Sequence, residues 1–215
     1  MAKGKGVWIT GTMSKGRLEN LTDGIFAFAM TLLVLGIEVP SGADVALAAL
    51  RDANPARTLL MAIYPDLTHF VLAFIMIAAF WVMHHSFCKH VRKIDRKLLW
   101  LNIFGLLLVA LMPFSTDFAD TYVGYPIAAM VFELNVLVLG SVFYLQWAYA
   151  SKGHRLIRPD LSAADIEHIK HIIAVMPVVS VVAMGAAFMG VTWSVLLFAL
   201  TPLLYALPLR KLVRG

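Results

Sequence analysis

The chain has 215 residues, of which 60% are hydrophobic and 14% charged, with a formal net charge of +5 and a mean hydropathy of +0.81. A soluble domain cannot bury that much apolar surface, so the composition excludes a water-soluble enzyme or binding module and indicates an integral membrane protein. The basic balance does not indicate nucleic acid, because Lys and Arg stand in short segments between apolar runs rather than in one patch.

In chain order, residues 1–16 are rich in Gly and Lys and read as a cytoplasmic tail. The remainder, 17–215, reads as one all-α transmembrane domain of six spanning helices. The first apolar run, about 20–39, crosses a ~30 Å hydrocarbon layer at ~1.5 Å per residue. It is too long for the apolar part of a signal peptide. Residues 41–65 carry Gly42, Pro55, Pro65 and mixed charges. The pieces 45–51 and 58–63 suit short surface helices and are too short to span. Further spans are expected over about 66–87, 98–114, 125–149, 169–189 and 192–209. Pro177, Pro202 and Pro208 inside the last two imply kinks. Ser162 and Asp165 carry the pattern of an N-cap opening a cytoplasmic helix ahead of the fifth span.

The charges orient the chain. The tail holds Lys3, Lys5, Lys15 and Arg17. The second-to-third connection holds Lys89, Arg92, Lys93, Arg96 and Lys97. The fourth-to-fifth holds Lys152, Arg155, Arg158 and Lys170, and the C-terminus Arg210, Lys211 and Arg214. The opposite side has only Arg51 and Arg57. By the positive-inside rule both termini are cytoplasmic, which an even number of spans also requires.

On a wheel of ~100° per residue, Phe28, Thr31, Leu32 and Leu35 fall on one arc of the first helix, with Asp23 pointing away from it. Around a symmetry axis that arc lines a narrow apolar pore with a single hydroxyl; otherwise it is ordinary helix packing or lipid contact. Asp23 is a candidate site because a carboxylate at the membrane edge is costly unless paired or solvated. Arg17 and Asp23 are six apart, beyond a regular i,i+4 pair. Glu133 and Asn135 within the fourth span mark a polar pathway, or else Glu133 is protonated or stands near the outer interface. Asp66, His69, Asp117 and Asp120 lie toward the outer side, as a vestibule or as solvated residues. The group His84, His85 and His90 falls short of a metal centre, since adjacent histidines diverge on a helix. Cys88 is the single cysteine, so no intrachain disulfide forms.

Three segments carry a resemblance. The first runs from Arg17 through Leu21, Thr22 and Asp23 to Thr31-Leu32-Leu33-Val34-Leu35. The second is Phe80-Trp81-Val82-Met83-His84-His85-Ser86-Phe87. The third runs from Arg92 to Asn102 and on to Leu111-Met112-Pro113-Phe114-Ser115-Thr116. Together these resemble the first three helices of the transmembrane protein 175 family, which includes lysosomal and bacterial potassium channels. Leu21 replaces the family's usual Phe and Thr22 its usual Ser, keeping apolar bulk and hydroxyl. The second half matches only in hydropathy.

The resemblance implies a potassium-permeable cation channel in a bacterial inner membrane, and no enzyme. It implies a homotetramer whose first helices surround a central pore. Phe28, Thr31, Leu32 and Leu35 would form its lining and constriction, with potassium passing Thr31 transiently. No cofactor and no resident metal are expected. The partners expected are further copies of the chain and the lipid bilayer, with no nucleic acid. Arg17, Asp23, Trp81, His84, His85 and Asn102 would form a structural polar network between helices. Phe28 stands where the family usually has Ile or Leu. A small secondary transporter or other membrane protein using the Asp23 and His84 cluster is the alternative; a transporter would call for inverted repeats and broken helices.

Overall fold

The computed structural model describes residues 14–51, 54–190, 196–198 and 200–201. The helices are α1 (Lys15–Leu32), α2 (Gly42–Arg51), α3 (Pro55–His90), α4 (Arg96–Thr121), α5 (Pro126–Ser151) and α6 (Ala163–Ala187). A 3₁₀ turn, Leu33–Gly36, extends α1, and another, Lys152–His154, follows α5. Among the described residues, the five long helices α1, α3, α4, α5 and α6 are apolar and long enough to cross a membrane, and the chain is a polytopic, all-α integral membrane protein. The sixth span expected over 192–209 lies largely outside the described residues, as does most of the 1–16 tail.

Two helices start earlier than hydropathy suggests. The span expected over 66–87 belongs to α3, which absorbs 58–63 and runs through Pro65. At ~1.5 Å per residue its 36 residues reach about 54 Å, well beyond a ~30 Å hydrocarbon layer. Asn54 caps it by accepting from the Arg57 N–H, and Pro55 takes the first position, where no N–H is needed. The capped helix opened by Ser162, whose hydroxyl accepts from the Asp165 N–H at 3.1 Å, continues without a break into the fifth span as α6.

α5 lies between α4 and α6, and α1 lies against α3 and α4. α5 is apolar around most of its circumference, as a central helix must be, and buries Ala128, Val136, Leu139 and Trp147. Its polar groups bond to its neighbours. The Asn135 amide donates to the Leu108 carbonyl at 3.3 Å and to the Ser115 hydroxyl at 3.1 Å. Gln146 donates to the Leu101 carbonyl, and the Trp147 indole to the Ile166 carbonyl. Gly140 lets α5 and α6 approach closely: a Cβ there would stand 2.9 Å from Pro177 Cδ and 3.2 Å from its backbone nitrogen.

The two basic connections meet at one end of the bundle. Val91 and Ile157 form an antiparallel bridge. The Arg92 N–H donates to the Leu156 carbonyl at 2.8 Å and the Arg158 N–H to the His90 carbonyl at 2.9 Å. Asp95 ties this end together. It accepts from the Leu98 N–H at 2.9 Å, capping α4, and from the Tyr149 hydroxyl at 2.6 Å, with the Arg155 guanidinium at 3.6 Å. Lys15 and Leu18 of α1 line a small cavity with Cys88 and Leu98, so α1 begins at this same end.

Candidate functional site: the first helix and its polar anchors

α1 is two-faced. Leu18, Thr22, Phe26, Ala29 and Leu33 are buried against the bundle. The opposite face carries Arg17, Leu21, Gly24, Phe28, Thr31 and Leu35, all exposed in the single chain. Their spacing alternates four and three, which keeps one stripe in register along a helix. Phe28 is 64% exposed and Leu35 77%, while Leu32 is half-buried. Three of the four residues expected on the pore arc thus share the stripe, and Leu32 leans toward the bundle. The Thr31 hydroxyl donates to the Phe28 carbonyl at 2.8 Å, one residue later than the Ala27 carbonyl of a full helical turn. Its oxygen keeps its lone pairs free to accept.

The polar residues separate into two clusters on adjacent positions of α1. In the first, the Trp81 indole N–H donates to Asp23 Oδ1 at 2.8 Å, and His85 stacks on Trp81 with ring centroids 5.6 Å apart. Asp23 is exposed in the single chain, so this cluster sits at the edge of the bundle. The second cluster is buried. The Thr22 hydroxyl donates to Asn102 Oδ1 at 3.3 Å. With that oxygen occupied, the Asn102 amide donates to His84 Nε2 at 2.7 Å. His84 therefore carries its proton on Nδ1, which faces Cys88 Sγ at 3.6 Å. Phe26 and Phe143 pack on the His84 ring.

Arg17 joins neither cluster; among the described residues its side chain makes no hydrogen bond or ion pair, and it stands on the exposed stripe. Thr22 is the residue that reasoning from charge overlooked, and its hydroxyl in the Arg17 to Asp23 motif was the available signal. At the other end, Asp66, His69, Asp117 and Asp120 do converge. They line a cavity of about 280 Å³ with Leu32, Leu35 and Gly36. His69 pairs with Asp120, and Asp66 accepts from the Glu38 N–H. Glu133 lies apart from this cavity, in a smaller apolar one that it shares with His69 and Asp120. Among the described residues no cluster of three or more His, Cys, Asp or Glu is placed to hold a metal.

Comparison with known proteins agrees with this arrangement of helices. The family model described as endosomal/lysosomal potassium channel TMEM175 matches residues 17–113, the part that contains α1, both polar clusters and most of α4. A potassium channel of Streptomyces collinus is 31% identical over 152 residues, covering 69% of this chain and 70% of that protein. A potassium channel of Chamaesiphon minutus is 31% identical over 183 residues, covering 84% and 87%. The crystal structure of a lysosomal potassium-selective channel TMEM175 homolog from the same organism superposes with a TM-score of 0.77 at 28% identity, covering 89% of this chain and 96% of that one. Similarity that spans most of both chains, in sequence and in fold, places this chain in the TMEM175 family.

Proposed function

We propose that the protein is a potassium-permeable cation channel, a homotetramer whose α1 helices surround a central pore. The observation that carries this reading is the exposed stripe Leu21, Gly24, Phe28, Thr31 and Leu35. It is apolar, in 4–3 register, and uncovered in the single chain. A C4 arrangement turns each of these residues into a ring. Rings of Phe28 and Leu35 gate by resisting wetting, and the Thr31 ring offers oxygens to a partly dehydrated cation. No ring of backbone carbonyls is available on a continuous helix, so discrimination rests on the constriction and on Thr31.

The polar clusters act as anchors rather than as a path. They fix the buried face of α1 on α3 and α4 and thereby aim the stripe outward. The basic end, where α1 begins and the two loops pair, faces the cytoplasm, consistent with a bacterial inner membrane. A transporter is less well supported, because α3, α4 and α6 run unbroken through Pro65, Pro113 and Pro177. The test is potassium flux into liposomes holding the purified protein, with no gradient of a second solute. Flux that depends on such a gradient would overturn the channel reading.

A further inference from the structure

We propose that the paired α3–α4 and α5–α6 loops form a docking surface for the headgroups of anionic phospholipids. Hydrophobic positioning and unpaired charge coincide there. Lys89, Arg92, Lys93, Arg96 and Lys97 are all exposed. Among the described residues none of them has a carboxylate within ion-pairing distance. The acid in their midst, Asp95, is already committed to the Leu98 N–H, Tyr149 and Arg155.

The loop backbone is held. The N–H groups of Arg92 and Lys93 both donate to the Leu156 carbonyl, at 2.8 and 3.2 Å. The backbone that carries two cations is thus fixed beside the start of α4, which lowers the entropy lost when they meet a phosphate.

The level is set by α4. Arg96 and Lys97 lie four and three residues before Trp100, on the same side of the helix. Trp100 is 60% exposed, and the exposed stripe continues upward through Phe104 and Leu107. An exposed tryptophan between a cationic turn and an apolar stripe marks the headgroup boundary of a bilayer. A ligand there meets cations at one end and acyl-chain surface at the other. This is the chemistry of an anionic phospholipid, and a free polyanion would use only half of it.

The test uses the full chain in neutral detergent with phosphatidylglycerol, phosphatidylcholine or inorganic phosphate added. Lipid retention is read by native mass spectrometry and stability by the thermal midpoint. Phosphatidylglycerol should bind and raise the midpoint, while the other two should not. Arg96→Gln with Lys97→Gln should weaken phosphatidylglycerol by about 25-fold, at about fivefold per cation. Arg92→Gln with Lys93→Gln, outside any helix, should do the same without touching the α4 start. Arg57→Gln at the far end should change nothing. Equal stabilisation by phosphatidylcholine or by inorganic phosphate would overturn the proposal. So would an unchanged phosphatidylglycerol response in both double variants. Should neither double variant fold, wild type decides. A phosphatidylglycerol shift that disappears at ~1 M salt, where the Debye length is ~3 Å, supports the proposal, and one that persists overturns it.

Discussion

The Trp81 indole donates to Asp23 Oδ1 at 2.8 Å across 58 residues of sequence, and so ties the middle of α1 to the last third of α3. A hydrogen bond to a charged acceptor contributes ~1.5–3 kcal/mol, and the lower end applies here because Asp23 is exposed in the single chain. Trp81→Phe should lower the thermal midpoint while leaving flux per assembled channel near wild type. Asp23→Ala should cost more, since it leaves the indole N–H unpaired. An Asp23→Ala protein that assembles and melts like wild type would reduce this pair to an interfacial decoration.

The buried cluster beside it tests additivity. Thr22 is fully buried and Asn102 is 3% exposed. Thr22→Val removes one donor and orphans Asn102 Oδ1, at a cost of ~1–3 kcal/mol. Asn102→Leu orphans both Thr22 and His84. The double variant should lose less than the sum of the two, because each single change strands a partner that the double removes. Strict additivity in thermal or chemical unfolding would show that the three side chains do not form one network.

Packing between α5 and α6 should be least forgiving at Gly140. A Cβ there would sit 2.9 Å from Pro177 Cδ, so neither helix can hold its place. Gly140→Val should destabilise by ~1–3 kcal/mol or more. Gly185→Ala, with no atom within 4 Å of the added Cβ, should be neutral or stabilising, since Ala favours helix over Gly by ~1 kcal/mol. Equal melting of the two variants would place the α5–α6 contact elsewhere.

The loop acid Asp95 links stability to pH. Its burial opposes ionisation. The Leu98 N–H, the Tyr149 hydroxyl and the Arg155 guanidinium outweigh that and hold the carboxyl below its ordinary range. A group lowered on folding contributes stability above its unfolded value, ~3.9, and loses it as pH falls through the folded value. Asp95→Asn should therefore lower the midpoint at pH 7 by the equivalent of ~1 kcal/mol, because asparagine still caps α4 but loses the charge that Tyr149 and Arg155 meet. The gap to wild type should close only as pH falls below the ordinary carboxylate range, where Asp95 also loses its charge. A gap that stays constant into acid would assign the effect to shape rather than charge.

The pore prediction turns on rings. In the proposed pore Leu35→Asn would change every subunit's contribution to the constriction at once, so it should raise flux and weaken any preference for potassium over sodium. Thr31→Val keeps the volume and removes the oxygen, so it should shift ion preference with little effect on folding. Val34, exposed at the same depth but off the stripe, is the control. If Val34→Asn alters flux as much as Leu35→Asn in assembled protein, the wrong face of α1 has been put on the axis.

How much of this was legible differs by residue. The buried face of α1 repeats every three to four residues, and such a period can be read without knowing what the helix touches. Phe28, Thr31 and Leu35 were therefore identifiable as one arc. Leu32 is half-buried, because it stands at the edge of the arc, four residues after Phe28 and next to the buried Leu33. The start of α3 was missed because Pro65 reads as a boundary, whereas the turn before it holds together under its Asn54 cap.

The amino-acid sequence by itself determined that the chain spans a membrane, which segments are basic, and which side of α1 is apolar. These are sums and periods over neighbouring residues, and transfer into lipid acts on them locally. Tertiary structure alone decided the partners. That Trp81 reaches Asp23, that Thr22 rather than Arg17 engages Asn102, and that Leu156 receives the Arg92 N–H all depend on how helices distant in sequence cross. A hydrogen bond requires two groups within ~3 Å in the right direction. No local pattern encodes a separation that only packing sets.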